Sequence, residues 1–425
     1  MKKGFSTIMS AQFFSSLADN ALLVAAVELL RMSKAPAWQT PALAPMFALF
    51  YVVLAPFVGA FADSVPKGKV MFVSNTIKIV GCLMMLFGSH PLLAYAVVGL
   101  GAAAYSPAKY GILTELLPAS QLVKGNGWIE GLTVGSIILG ILLGGQLVGP
   151  KLAPWLLDFD MPFMTTSVDT APEAAISVIV FIYVIAAIFN LNIPRTAAPL
   201  QPMTGGVRGM VRDFAHCNAR LWNDKLGQIT LATTTLLWGI FGNLRLIVFA
   251  WAAVALGYGT TKASNLAGIV IVGSVLGAVL ASTFMRLDKA TWVLPMGIVI
   301  GFLMIGLNLI DNVWVAAPFL VVLGTLCGFL IVPMNALLQH RGHNLMGAGR
   351  SIAVQNFNEQ ACILGLGAFY AGMVKFGLSP FTAIAIFGLL VAGIMEFIRR
   401  WHARNCVLHR VEVERLLTIA RSDGH

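Results

Sequence analysis

The residues in this chain that could do chemistry are charges placed where charge is expensive. Asp19 lies in the run Gln12-Phe13-Phe14-Ser15-Ser16-Leu17-Ala18-Asp19-Asn20, inside an apolar segment from about Phe5 to Leu30. That segment is long enough to span a bilayer. Gln12, Ser16 and Asp19 are spaced by four and three, so they share one helix face. A carboxylate at that depth costs about 2.5–3.5 kcal/mol on insertion scales, so it needs a partner, a water-filled cavity or a ligand. Further along, Lys109 follows Pro107 in a run of small residues, and Glu130 shares a stripe with Asn126 and Thr133. Arg245 follows Trp238 and Asn243, and Ser351, Gln355 and Glu359 recur at intervals of four.

Such a set has two readings. One is mutual neutralisation that holds helices together. The other is a cavity for a ligand carrying both signs: the Arg fork suits a phosphate, and the carboxylates suit an ammonium group. Lys78 is placed nearer a helix end, where it is expected to snorkel to the surface. Glu130 is expected to pair with a base such as Lys109 or Lys78, or to contact substrate, and the two are compatible. Gly127, Gly131 and Gly135 are spaced to let another helix pack closely.

The elements that must position these side chains follow from composition. The chain has 425 residues, of which 58% are hydrophobic and 11% charged, more apolar surface than one soluble core hides. Apolar runs near 20 residues without strict alternation mean helices, not barrel strands. Twelve are expected: 5–30, 42–62, 69–89, 91–117, 126–149, 174–193, 226–256, 262–286, 290–310, 313–338, 347–376 and 379–400. The first is too long and too polar in its middle for a cleaved signal and is read as retained. A net charge of +10 suggests nucleic acid only until its distribution is considered. Most of the 28 Lys and Arg fall in loops and tails on one side, which places both termini in the cytoplasm.

The stretch 194–225 is basic and rich in Pro and Gly, and reads as a cytoplasmic linker. Part of it, near Val207–Leu221, is expected as a basic helix on the membrane surface. The division is then 1–193, an N-terminal six-helix bundle; 194–225, the linker; 226–400, a C-terminal six-helix bundle; and 401–425, a cytoplasmic tail. A solvated tail and a surface-lying basic helix are equally compatible with its residues. The acidic segment 150–173 reads as a solvated outer loop. A faint repeat supports two halves: Asp19 matches Arg245, Asp63 Asp288, Pro107 Pro333, Lys109 Asn335 and Glu130 Glu359 at offsets of 225–229. Two parallel six-helix repeats give an all-α polytopic membrane protein of the major facilitator architecture, with a central site between the halves.

The loop Gly59-Ala60-Phe61-Ala62-Asp63-Ser64-Val65-Pro66-Lys67-Gly68-Lys69 is similar to the signature loop of that architecture, with a longer Asp-to-Gly spacing. An aspartate there can sit at the positive N-terminus of a neighbouring helix, so Asp63, Lys67 and Lys69 are candidates for a conformational latch. His340, Arg341 and His343 fall in the loop after the tenth helix, where no further ligand converges on a metal. The five cysteines are scattered and read as free thiols. No P-loop, Ser/His/Asp order or zinc pattern occurs, so no enzyme, metal or cofactor is expected.

Several runs carry a closer resemblance: Asp19–Leu23, Ala55–Gly59 with Ala62–Ser64, Ala102–Leu113, Pro333–Gln339 and Ile352–Asn356. Over roughly residues 5–400 the chain resembles the bacterial lysophospholipid transporters of the major facilitator superfamily; the outer segment 150–173 and the tail are departures. The resemblance implies a flippase of the bacterial inner membrane, moving lysophosphatidylethanolamine and related lysolipids from outer to inner leaflet. A separate acyltransferase/acyl-carrier-protein synthetase would then reacylate them. It implies a transport pathway through the matching charges Asp19, Lys109, Arg245 and Glu359, beside Asn20, Glu130 and Gln355. Partners are then the lysolipid and membrane lipids, not nucleic acid, and a monomer is expected. Two other classes remain: a proton-coupled exporter of drugs or small metabolites titrating at Glu130 or Glu359, and a non-transporting scaffold, which has no need of buried charge in both halves.

Overall fold

The computed structural model describes residues 3–35, 39–149, 152–158, 170–196, 199–200, 206–258 and 260–422. Among them every regular element is helical. In chain order these are α1 (Lys3–Met32), α2 (Gln39–Val53), α3 (Ala55–Ser64), α4 (Lys67–Leu86), α5 (Pro91–Leu116), α6 (Ala119–Leu147), α7 (Ala153–Leu157) and α8 (Ala171–Leu191). The chain continues as α9 (Val207–Asn223), α10 (Gly227–Ala255), α11 (Thr260–Phe284), α12 (Leu294–Gly306), α13 (Val313–Met346), α14 (Ala348–Lys375), α15 (Pro380–Leu408) and α16 (Arg410–Ser422). Nine spans and one bent pair, among the described residues, are long and apolar enough to cross a membrane. With α10 and α14, 29 and 28 residues long, they make the twelve of a multi-pass membrane protein.

The chain forms two compact units. One gathers Met1–Ile112, Leu132–Phe214 and Ala348–Ala353; the other gathers Leu113–Gly131, Ala215–Gly347 and Val354–His425. The core of the first is built on α1, α4, α5 and α8, with Ala18, Ala21, Ala25, Val98 and Tyr183 fully buried. The core of the second draws on α10 to α15.

Three expectations need correction. The segment expected as one helix over 42–62 is two, α2 and α3, which meet at 70°. Pro56 at the start of α3 lacks the N–H that a continuous helix would use, and its ring clashes with the preceding turn. The tenth helix, expected to end at 338, runs to Met346, so His340, Arg341 and His343 are helical and not in a loop. It stops at Gly347, whose φ of 93° favours glycine. Glu173, expected in the outer loop, lies in the first turn of α8, where it accepts the Thr170 N–H at 3.0 Å. Asp160, Asp169, Phe159 and Phe163 of that loop lie outside the described residues.

Part of the tail packs on the second unit. Val413 and Leu416 of α16 bury against Leu226, Asn405 donates to the Lys225 carbonyl at 3.3 Å, and Arg421 meets Asp288 at 3.2 Å. Its exposed side carries Arg410, bonded to Glu414 at 2.7 Å. The linker helix α9 is amphipathic as expected: Arg208, Arg212 and Arg220 are exposed, and Cys217 and Leu221 are buried.

Close helix packing rests on one of the expected glycines and on several others. Gly127 alone of its triplet is packed, against Ser282, whereas a Cβ on Gly131 or Gly135 would meet no described atom within 4 Å. Helix α6 belongs to the second unit up to Gly131 and to the first from Leu132. Lower on α6, Gly140 and Gly144 seat on the α1 backbone: added Cβ atoms would lie 2.6 Å from the Leu17 carbonyl and 2.7 Å from that of Ala21. The tightest seam joins α11 to α13, where Gly277 abuts Thr325 and Gly328 abuts Ser274, backbone to backbone. Gly328→Val should therefore cost about 1–3 kcal/mol through overpacking. The check is a lower thermal unfolding midpoint in detergent than that of Gly393→Val, where nothing lies within 4 Å.

Candidate transport cavity

The first unit holds a cavity of about 350 Å³, walled by α1, α2, α4, α5 and α6. The face of α1 read from spacing supplies Gln12, Ser16 and Asp19, and Asn20 joins them. Asn20 turns its amide back to the Ser16 carbonyl at 2.8 Å. Gln12 donates to the Thr133 hydroxyl of α6 at 2.8 Å. Phe47, Tyr51 and Tyr95 form an aromatic wall.

Asp19 is not alone. Its Oδ2 accepts from Lys78 Nζ at 2.8 Å, and its Oδ1 accepts from the Tyr183 hydroxyl at 2.6 Å. Lys78 also donates to Ser15 at 3.0 Å, and Ser15 donates to Asn75 Oδ1 at 2.8 Å. The Lys78 ammonium faces the Tyr105 and Tyr183 rings at 4.9 and 5.6 Å. Lys78 is 1% exposed, which overturns the snorkelling expectation. It stands eleven residues into α4, about 16 Å along the helix, beyond the reach of a lysine stem. Even counted from Lys69 it stands nine residues deep, about 13 Å, so the depth itself is a signal in the sequence. Gly101 is the second signal: a Cβ there would lie 2.7 Å from Lys78 Cγ, so the glycine makes room for the stem. Among the described residues the ion-pair partner of Lys78 is Asp19.

Lys109 lines the same cavity, 9% exposed, with its ammonium 4.1 Å from the Tyr110 ring centre. The side chains of Glu130 and Arg245 lie outside the described residues. In the second unit Gln355 bridges two groups, donating to Asn335 Oδ1 at 3.0 Å and to Glu359 Oε1 at 2.7 Å. All three are buried. Asn126 donates to Gln339 at 3.0 Å. The structure thus gathers Asp19, Asn20 and Lys109 on one cavity and joins Gln355 to Glu359.

Asp63 is a separate centre in the first unit. Its Oδ1 accepts from Lys67 Nζ at 2.8 Å and from the Gly349 N–H at 2.7 Å; its Oδ2 accepts from the Arg350 N–H at 2.9 Å. The Arg350 guanidinium lies 3.6 Å away and reaches Asp213 of α9 at 2.9 Å. A carboxylate on the first amides of α14 meets the positive end of that helix. Sequence reasoning found Asp63 and Lys67 but missed Arg350. Lys69 is exposed.

Three comparisons bear on this geometry. The sequence model of the Major Facilitator Superfamily matches residues 8–365. Relatives named lysophospholipid transporter LplT, from Yersinia pestis and Yersinia pseudotuberculosis, are 40% identical over 385 residues, 90% of this chain and 90% of theirs. Among solved structures, the human organic anion transporter MFSD10 is similar with a TM-score of 0.73 and 12% identity, covering 95% of this chain and 100% of that one. A bacterial homologue of the iron transporter ferroportin gives 0.70 and 13%, with the same coverage. At such identities these two structures speak to the fold alone.

Proposed function

From the premise that this chain belongs to the Major Facilitator Superfamily, we propose that it is a lysophospholipid transporter. It moves lysophosphatidylethanolamine and related lysolipids from the outer to the inner leaflet of the bacterial inner membrane by alternating access. A separate acyltransferase/acyl-carrier-protein synthetase then replaces the missing chain. Both termini are cytoplasmic, on the side richer in Lys and Arg. The observation that carries this reading is the 40% identity to named lysophospholipid transporters through 90% of both chains.

The cavity supports it. Opposite charges from Asp19, Lys78 and Lys109 stand beside the Phe47, Tyr51 and Tyr95 wall, a setting for a polar head next to an apolar chain. Asn20 and Lys109, with Gln355 and Glu359 of the second unit, complete the described part of the pathway; Glu130 and Arg245 are its remaining members. Asp63 and Lys67 act as the latch by holding the first turn of α14, and Lys69 adds positive charge at the surface.

The test places labelled lysophosphatidylethanolamine in one leaflet of vesicles carrying the purified protein and follows its arrival in the other. Faster arrival than in empty vesicles is expected; equal rates overturn the proposal. Uptake of a water-soluble cation driven by a pH gradient would favour a proton-coupled exporter instead.

A further inference from the structure

An aspartate open to a cavity in a carrier of head groups invites the reading that it binds the substrate's ammonium. The bonds around Asp19 argue against that. Each of its oxygens already accepts a hydrogen bond, Oδ2 from Lys78 and Oδ1 from Tyr183. The Lys78 ammonium has what a bound primary ammonium would be given: a carboxylate, a hydroxyl from Ser15 and two aromatic faces. It is tethered on a stem that Gly101 admits, and it is almost wholly enclosed. The partner of the pair is more open: the Asp19 side chain is 20% exposed and lines the cavity.

We infer that Lys78 is a head-group specificity determinant: its ammonium permanently fills the ammonium slot on Asp19, so the cavity does not demand an amine of its substrate. Asp19 is then a positioning residue that holds the Lys78 ammonium in place. The inference rests on the lysolipid reading above and sharpens it. Emptying the slot should create a demand for an amine. With Lys78 replaced by methionine, the ligand's own ammonium can take the vacated place against Asp19. A charge-assisted hydrogen bond then separates head groups with an amine from those without.

The experiment compares flipping of two lysolipids, one with an ethanolamine and one with a glycerol head, by the wild type, K78M and D19N/K78M. K78M should shift the rate ratio about tenfold toward the ethanolamine lipid. D19N/K78M, which removes both charges, should keep the wild-type ratio. A second measurement guards against a variant that folds poorly: ethylammonium ion, purified with K78A, should raise its thermal unfolding midpoint and leave that of the wild type unchanged. An unchanged ratio in K78M, or no effect of ethylammonium on K78A, overturns the inference. If the wild type flips neither lipid, the transport reading falls, while the ethylammonium measurement still decides whether the slot exists.

Discussion

Arg341→Met is expected to destabilise the protein by about 3–5 kcal/mol, read as a lower unfolding midpoint in detergent. Arg341 reaches Asp224 twice, through Nε at 3.2 Å and Nη2 at 2.6 Å. The two side chains are 6% and 7% exposed, so water cannot take over when one partner is lost. Asp224 also accepts the N–H groups of Gly227 at 2.7 Å and Leu226 at 3.3 Å, which fixes the start of α10. Removing the arginine leaves that buried carboxylate half served. Removing both charges, in Asp224→Asn with Arg341→Met, should recover most of the loss, because the amide oxygen still accepts from the helix start. A double variant no more stable than the single one would show that the pair contributes by packing and not by charge.

Asp63→Asn should act on motion more than on global stability. The carboxylate serves two backbone amides at the start of α14, one lysine and one arginine. An amide side chain has one oxygen to offer and no charge, so about 3 kcal/mol of local restraint is lost. Hydrogen exchange at the Gly349 and Arg350 amides should rise about a hundredfold. Lysolipid binding should persist, while transport cycling becomes faster or uncoupled. Unaltered exchange at those two amides would remove Asp63 from any role as a latch.

The spans were legible because a bilayer demands about 20 apolar residues whatever the sequence detail. Asp63 and Lys67 were legible for a related reason: a charged loop between two apolar spans has few places to go. Lys78 was legible only through its depth: nine residues of helix precede it even from Lys69, about 13 Å, too far for its stem to reach the surface. Arg341 was hidden by its neighbours. The run Gln339-His340-Arg341-Gly342-His343-Asn344 has the polarity of a loop, and only the distant Asp224 makes its burial affordable. Spacing could find small residues on α6 but not which ones would be covered. Gly140 and Gly144 are, and Gly131 and Gly135 are not, and nothing local separates them.

Helix α16 has a practical corollary for anyone handling this molecule. Leu226 at the foot of α10 and Asp288 after α11 are both covered by the last turns of the chain, through Val413, Leu416 and Arg421. A reporter or affinity handle joined directly behind Ser422 would tug on that cover, and trimming back to Arg410 would strip it. A flexible spacer, or attachment at the other terminus, keeps the second unit dressed as it is found here.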